Sequence, residues 1–257
     1  MSQFYSTEQT ASSRRVLDEL LGVVPQAVLI GGWASWVRTG GPMSHDIDLI
    51  VSHGELAIVD HLTGDVSLST HIGHKKWRAS YNNIHVDLYV PYESRLGRHL
   101  ALRVEDLVSQ VEIVDGYHVL TTAAHIATKW AALLDRPDSL PGEKDRFELR
   151  HLLAMPGAHL ARDLIITASE RSETQTLELI GRGFDYLREE RGITKQQRMA
   201  ISRHRQLWDL PPSSQSIVKP KASTRTPAFP DPRDPGFTLR GTVSTTQPPS
   251  KGELPER

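Results

Sequence analysis

The sequence predicts an α+β fold in which helices flank a mixed twisted sheet, followed by a helical region and a disordered tail. Three observations support this prediction. Short apolar runs with strand periodicity alternate with helical patterns up to residue 135. Helices joined by loops account for residues 136–210. From residue 211 to 257, Pro, Ser and Thr dominate and apolar residues are too sparse to form a core. We therefore divide the chain into a core (1–135), a helical region (136–210) and a tail (211–257).

Composition narrows the class of protein. The 257 residues carry a net charge of −1 and 38% are hydrophobic, so the chain can bury a core while its bulk charge favours no particular partner. The sequence contains no cysteine, which excludes disulfides and zinc–thiolate sites and fits a reducing compartment. The N-terminus lacks an apolar signal core and no apolar run approaches a membrane-spanning length. We expect a soluble cytoplasmic protein with no membrane partner.

The first elements lead to a glycine pair. A helical pattern covers residues 7–21, and a short buried strand covers residues 27–30. Gly31 and Gly32 then allow a tight turn into a helix over residues 33–37, whose free N–H groups face outward at the turn. Such a turn can hold a phosphate, although a glycine pair taken alone more often marks a plain turn.

Two carboxylates begin the next strand, which we predict over residues 47–51. Alternation along a strand places Ser44, Asp46 and Asp48 on one face. Adjacent carboxylates at the mouth of a buried strand repel each other and lose hydration, so a cation must offset that cost or one of them must take up a proton. Mg²⁺ prefers hard oxygen ligands and often binds one or two carboxylates together with substrate phosphates.

A third carboxylate leaves a later strand. A helix over residues 55–62 and strands over residues 66–69 and 77–81 precede it, and Asn82-Asn83 predicts a hairpin turn. The strand over residues 84–90 then alternates cleanly, with Asp87 on its polar face. Asp87 joins the first two carboxylates if the strands are neighbours. The alternative is an ordinary surface ion pair with one of three nearby cations, Lys75, Lys76 or Arg78.

Two helices carry opposite charges on faces that lean inward. Asp115-Gly116 predicts a hairpin within residues 111–120, before a helix that ends near residue 134. Lys129 borders the apolar stripe of that helix. After a loop over residues 135–142, a helix over residues 143–154 places Asp145 on its packed side. Three more helices follow between residues 158 and 208, with breaks near residues 169–172 and at Gly192.

Together these stretches resemble the nucleotidyltransferase fold of the DNA polymerase β superfamily, and most closely the AbiEii/MenT-type nucleotidyltransferase toxins. The resemblance covers roughly residues 28–153. The matching stretches are GGWAS, the intervening Arg38, SHDIDLIV, HVDLYV, DGYHVLTTAAHIATKWAALLDR and EKDRFELRHLL.

The resemblance implies a role for each matching residue. On the sheet side, Gly31 and Gly32 would form a phosphate-binding turn and Ser44 would lie near the γ-phosphate of a nucleoside triphosphate such as ATP. The metal ligands, for Mg²⁺ or Mn²⁺, would be Asp46, Asp48 and Asp87, and Asp87 is also the candidate base.

On the helix side, the resemblance implies that Lys129 neutralises the nucleotide phosphates and that Asp145 holds or complements this lysine. The helical region would thereby complete the active-site cleft. Where the family often has a second aspartate in this last helix, the chain has Glu148. The departure affects only an accessory contact.

The function implied is transfer of nucleotides from NTP to tRNA 3′ ends, by the toxin of a toxin–antitoxin pair with a cognate antitoxin as a second partner. Nucleotidyl transfer needs positive charge on a triphosphate and a metal, which these residues would supply. The basic segments at residues 75–78, 95–103 and 198–205 are either solvated faces or contacts for RNA phosphates. Two alternatives stay open: a nucleotidyltransferase acting on a small aminoglycoside-type molecule, and a non-catalytic interaction module with the same fold.

Overall fold

The computed structural model describes residues 5–69, 75–189 and 193–210. The tail predicted at residues 211–257 and the helix break predicted at Gly192 lie outside the described residues. Within the described ranges, no helix is both long enough and apolar enough to cross a membrane.

The described ranges contain a mixed seven-stranded sheet and a two-stranded ribbon, which confirms the predicted α+β class. In chain order the strands are β1 (Val28–Ile30), β2 (Ile47–Ile50), β3 (Ser67–Ser69), β4 (Lys76–Tyr81), β5 (Ile84–Tyr89), β6 (Arg95–Leu96), β7 (Leu102–Arg103), β8 (Val111–Val114) and β9 (Tyr117–Leu120). The large sheet has the order β3-β4-β5-β2-β1-β9-β8, and β6 pairs with β7. Its pairs β2–β5 and β1–β9 are parallel, and the other pairs are antiparallel.

Helices cover both faces of the sheet. They are α1 (Thr7–Val23), α2 (Gly31–Thr39), α3 (His53–Thr63), α4 (Val104–Leu107), α5 (Thr122–Asp135), α6 (Leu140–Leu152), α7 (Ala161–Ala168), α8 (Glu173–Glu189) and α9 (Lys195–Leu207), with a short 3-10 helix at Ala158–Leu160. Strand alternation divides the core in two. Leu29 packs in the cluster with α1 and α2, whereas Val28 and Ile30 pack in the cluster with α5 and the later helices.

Helix α5 is the centre of the second cluster. Twelve of its fourteen residues are buried, because the sheet lies on one side and the later helices pack on the others. Trp130 makes ring contacts with Phe184 of α8 and with Trp208, which directly follows α9. Polar residues on α5 are therefore held in a rigid, dry environment. Both sides of the proposed boundary at residue 135 contribute to this cluster, and that boundary stays a prediction.

Both hairpin turns have the backbone that their sequences predict. Asn82 and Asn83 have φ of 50° and 62°, and Asp115 and Gly116 have φ of 49° and 84°. The predicted loop over residues 135–142 is wrong at its end. Helix α6 begins at Leu140, because the Ser139 hydroxyl accepts a hydrogen bond from the Gly142 N–H (3.1 Å) and caps the helix.

Two further differences concern element boundaries. Helix α2 begins at Gly31 itself, two residues before the predicted start, and α6 ends at Leu152, two residues before the predicted end. The ribbon β6–β7 and helix α4 have no counterpart in the prediction, because strands of two residues are too short for a periodic pattern.

Candidate active site

A cavity of about 280 Å³ lies where the sheet meets α5 and α6. It is lined by residues from β1, α2, β2, β5, α5 and α6 and from the connecting segments. All the predicted site residues except Gly32 line it, namely Gly31, Ser44, Asp46, Asp48, Asp87, Lys129 and Asp145. Gly32 lies directly behind this lining. The topology therefore brings together residues that are more than a hundred positions apart in the chain.

The glycine pair lies where no side chain fits. Gly31 has φ of +66°, and a Cβ at this position would overlap the Asp48 carboxylate. A Cβ at Gly32 would lie 2.5 Å from Ser44 Oγ and 2.7 Å from Lys144 Nζ. The first turn of α2 can therefore pack directly against these polar groups. The first N–H groups of a helix have no acceptor within it, so the phosphate-binding role of this turn stays a prediction that the geometry permits.

Adjacent strands place two carboxylates side by side. In the parallel pair β2–β5, Asp48 is directly opposite Asp87. Within the described residues, no group donates a hydrogen bond to the Asp48 carboxylate or forms an ion pair with it. Burial, and then the charge of Asp87, raise the pKa of Asp48 to about 6. The third carboxylate, Asp46, has a side chain that is 53% exposed and lies 3.1 Å from His45 Nδ1.

Asp87 is already engaged by cations. Its carboxylate lies 2.6 Å from Lys76 Nζ and 3.2 Å from Arg78 Nε, so the ion pairs given as the alternative do form, although Asp87 also lines the cavity. The hairpin register could have revealed them. The turn at Asn82-Asn83 places Arg78 directly opposite Asp87, and Lys76 is its diagonal neighbour.

Lys129 and Asp145 form a buried ion pair between α5 and α6. Lys129 Nζ lies 3.2 Å from Asp145 Oδ1, and Arg136 Nε lies 2.8 Å from Asp145 Oδ2. Burial alone would lower the pKa of Lys129, but the charges of Glu148 and Asp145 outweigh it and raise that pKa. Burial would likewise raise the pKa of Asp145, but Lys129 and Arg136 outweigh it and lower that pKa. The pair is therefore ionised at neutral pH.

Glu148 has more contacts than the accessory role implied by the resemblance. It is 1% exposed, forms an ion pair with Lys129, and lies 3.7 Å from Lys144 Nζ. The described part of α6 thus supplies both buried carboxylates that face Lys129.

The sequence prediction missed Lys144, Arg136 and Tyr5. Lys144 is 6% exposed, and its Nζ lies 3.4 Å from both Ser44 Oγ and the Met43 carbonyl oxygen. Burial lowers the pKa of Lys144, although Glu148 opposes this shift. The spacing of four residues between Lys144 and Glu148 could have placed them on one helix face. Arg136 lay in the predicted loop.

Tyr5 covers one side of the cavity. Its ring stacks on His45 with centroids 5.9 Å apart, and Lys144 Nζ lies 5.0 Å from the ring centroid. Burial, and then the charge of Asp46, raise the pKa of Tyr5. Tyr5 precedes the first helix and has no periodic neighbours, so the sequence offered no indication of this placement.

Asp46, Asp48 and Asp87 differ in how well they fit the role of ligands to a divalent cation. Within the described ranges, no group of three or more His, Asp and Glu side chains is arranged to hold a metal ion. Two carboxylates suffice for Mg²⁺, which keeps several waters and binds substrate phosphates. Asp46 and Asp48 fit this role, because Asp48 lies against a glycine and lacks a cationic partner among the described residues. Asp87 fits less well, since two cations occupy its carboxylate.

The predicted basic segments are largely paired within the chain. Their ion pairs join Arg95 to Glu105 and Glu170, Arg103 to Asp106, and Arg205 to Asp185, in addition to those of Lys76 and Arg78 with Asp87. The contacts favour the interpretation of these segments as internally neutralised faces.

No protein-family model and no curated protein matches the chain. The solved structures that are similar to it include the following two. An antigenic nucleotidyltransferase-like protein from Paracoccidioides brasiliensis is 12% identical with a TM-score of 0.42, and the match covers 79% of this chain and 94% of that one. JHP933 from Helicobacter pylori is 13% identical with a TM-score of 0.42, and the match covers 80% of this chain and 92% of that one. At these values the similarity assigns neither family nor activity.

Proposed function

We propose that the protein has a nucleotidyltransferase fold and is a metal-dependent nucleotidyltransferase. One observation carries this proposal: Gly31 at the N-terminus of α2, the two carboxylates Asp46 and Asp48, and the buried Lys129 line the same cavity. In the proposed reaction, an acceptor hydroxyl oxygen bonds to the α-phosphorus of an NTP. The bond from that phosphorus to the bridging oxygen breaks, and pyrophosphate leaves.

The chain's own residues would bind the triphosphate by charge and by hydrogen bonds. The free N–H groups at Gly31 and Gly32 would donate to phosphate oxygens. Lys144 and Ser44 lie immediately behind Gly32 and would extend this cradle. Lys129 would offset charge on the phosphates from α5, held in place by Asp145 and Glu148.

Asp46 and Asp48 would hold Mg²⁺ or Mn²⁺. When bound, such a cation neutralises phosphate charge and favours ionisation of the attacking hydroxyl. Asp87 is the proposed base that takes the hydroxyl proton and a proposed third ligand. Either role requires that Asp87 first release Lys76 and Arg78.

We further propose tRNA 3′ ends as the acceptor, and action in the cytoplasm as the toxin of a toxin–antitoxin pair with a cognate antitoxin as partner. This finer proposal rests on the sequence resemblance to the AbiEii/MenT-type toxins. One structural observation favours a small aminoglycoside-type acceptor instead: six cations of the basic segments are paired with carboxylates of the chain, which weakens the case for an RNA-binding face.

To test the proposal, the full chain is incubated with Mg²⁺, with each of the four NTPs labelled at the α-phosphate, and with either total tRNA or a panel of aminoglycosides. We expect label in the acceptor and release of pyrophosphate. Asp48→Asn and Lys129→Met should abolish both, whereas Asp163→Asn, which changes an exposed carboxylate, should not. Absence of pyrophosphate release with every acceptor contradicts the proposal.

The toxin assignment has its own test. Induced expression in a bacterium should arrest growth, and Asp46→Asn or Asp48→Asn should relieve the arrest. Label in an aminoglycoside without label in tRNA would replace the tRNA proposal with the small-molecule alternative.

A further inference from the structure

A buried chain of polar contacts joins helix α5 to the turn at Gly31. His125 and Ser35 are both 1% exposed, and His125 Nε2 lies 3.0 Å from Ser35 Oγ. The Ser35 hydroxyl in turn lies 3.2 Å from the Gly31 carbonyl oxygen, to which it donates. His125 is one helical turn before Lys129 on the same helix. The contacts therefore link the lysine-bearing helix to the glycine that packs against Asp48.

The number of hydrogens available decides the tautomer of the imidazole. A serine hydroxyl has one hydrogen, and Ser35 donates it to the Gly31 carbonyl oxygen. With this donation the same hydroxyl accepts from His125, and on that basis we assign the imidazole proton to Nε2. Nδ1 is left as an acceptor, and within the described residues it has no hydrogen-bond partner although it is buried. Burial, and then the charges of Lys129 and Arg38, hold the pKa of His125 well below its ordinary value, so the ring is neutral.

An ordinary structural role explains only part of this arrangement. Serine hydroxyls inside helices often donate to the carbonyl four residues earlier. Here that carbonyl belongs to Gly31, which has φ of +66°. In addition, the serine contacts a buried histidine, His125, one of whose ring nitrogens has no hydrogen-bond partner among the described residues. An unsatisfied buried acceptor is costly, and an apolar residue would avoid that cost. The arrangement is explained if the orientation of the Gly31 peptide matters for the cavity.

We propose that His125, as its Nε2–H tautomer, and Ser35 are positioning residues that hold the Gly31 turn in register with Lys129. With the Gly31 carbonyl held back into α2, the N–H groups of the turn point towards the cavity. The inference rests on the proposed function for the meaning of the turn, but the tautomer and the rigidity of the turn can be measured without any ligand.

The first test is a long-range ¹H–¹⁵N NMR spectrum of histidine side chains in the full-length protein at neutral pH without ligand. The signals of His125 are identified by their absence in His125→Gln. We expect a neutral ring with the proton on Nε2. A ring protonated on Nδ1, or a doubly protonated ring, overturns the inference.

The second test compares two buried serines that both hold α2. Ser13 is fully buried and its Oγ accepts a hydrogen bond from Trp33 Nε1 (2.9 Å), but it does not touch Gly31. Ser35→Ala and Ser13→Ala each remove one buried hydroxyl and should lower the melting temperature similarly. Only Ser35→Ala should weaken binding of ATP, GTP, CTP or UTP with Mg²⁺, by about fivefold, the equivalent of one lost hydrogen bond.

Substitution of the histidine separates positioning from packing. His125→Gln keeps an N–H donor near the position of Nε2 and should bind NTP about as well as the parent, whereas His125→Leu should behave like Ser35→Ala. Equal NTP affinity in Ser35→Ala and Ser13→Ala, or full affinity in His125→Leu, overturns the inference.

Failure of the proposed function is recognised separately. If the parent binds none of the four NTPs, the proposed function fails, and ¹⁵N relaxation dispersion of the Gly31 and Gly32 amides then decides the inference. Exchange broadening in Ser35→Ala but not in Ser13→Ala supports a positioning role. Identical relaxation in the two variants overturns it.

Discussion

The two walls of the cavity carry their charges in opposite ways. On the sheet wall, formed by the Gly31 turn, β2 and β5, the Asp48 carboxylate accepts no hydrogen bond from the described residues, forms no ion pair with them, and faces Asp87. On the helix wall, formed by α5 and α6, Lys129 forms ion pairs with Asp145 and Glu148, and Lys144 forms an ion pair with Glu148. All four side chains are in residues that are at most 6% exposed. The helix wall is complete without a ligand, whereas the sheet wall is not.

This difference separates stability from binding. Removal of one charge from the helix wall leaves a buried opposite charge with one partner fewer, which destabilises the fold. Removal of a charge from the sheet wall relieves repulsion, so it should leave the fold intact and affect only the ligand.

Lys129→Met should lower the free energy of unfolding by about 3–5 kcal/mol, because the buried carboxylates of Asp145 and Glu148 both lose the cation that lies between them. Urea denaturation monitored by circular dichroism measures this change. Lys75→Met is the control, since Lys75 forms an exposed pair with Glu93 and should change stability by less than about 1 kcal/mol. A loss below about 1 kcal/mol in Lys129→Met would show that the helix wall is not a coupled network.

Gly31→Ala should destabilise more than Gly40→Ala. Both glycines have left-handed φ (+66° and +64°), so both substitutions carry a backbone cost of about 1–2 kcal/mol. Only at Gly31 does the new Cβ overlap a side chain, that of Asp48, whereas Gly40 has open space around it. The difference between the two variants in urea denaturation therefore isolates the Gly31–Asp48 contact, and equal losses would refute that contact.

Asp48→Asn should raise the free energy of unfolding at neutral pH by about 2–3 kcal/mol when EDTA is present. The sign follows from the pKa of Asp48, which is about 6 in the folded chain and 3.8 as its ordinary value. The folded state therefore binds more protons between these values, and Asp48 destabilises increasingly as the pH rises from about 4 to 6.

The stability difference between the parent and Asp48→Asn should accordingly vanish near pH 4. It should also shrink when Mg²⁺ is added at neutral pH, because bound cation stabilises only the parent. A difference that does not change with pH would contradict the assigned pKa.

Asp46→Asn should have the smallest effect on the fold. The side chain of Asp46 is 53% exposed and contacts only His45 among the described residues, so the melting temperature should not change measurably. Its Mn²⁺ affinity, measured by electron paramagnetic resonance, should nevertheless fall by about tenfold or more, because one of two proposed ligands is lost. Unchanged Mn²⁺ affinity would remove Asp46 from the proposed ligand set.

The sheet wall was easier to predict from sequence than the helix wall. The placement of Asp48 follows from strand alternation, and its proximity to Gly31 follows from pairing of consecutive strands, both of which are local rules. The proximity of Lys129 and Asp145 could be predicted only by assuming that the apolar stripes of their two helices face each other. Lys144 was missed because it is buried by Tyr5 and Ser44, and those contacts depend on the tertiary structure.

The site residues differ in how far the sequence determines their state. The ion pairs of Asp87 follow from a hairpin register that the Asn82-Asn83 turn already specifies. The protonation of His125 depends instead on its burial and then on the charges of Lys129 and Arg38, which lie on α5 and α2. Electrostatic environment is a property of the assembled fold, so no single stretch of sequence contains it.

The contact of Trp130 with α8 has a genetic consequence. Gly183 lies against the indole of Trp130, and a Cβ at this position would lie 2.5 Å from Trp130 Cε2. Trp130 directly follows Lys129 in the chain. An alanine there should loosen the docking of α8 without altering any group in the cavity. We therefore expect Gly183→Ala to be a temperature-sensitive variant, which functions at low temperature and loses function at high temperature.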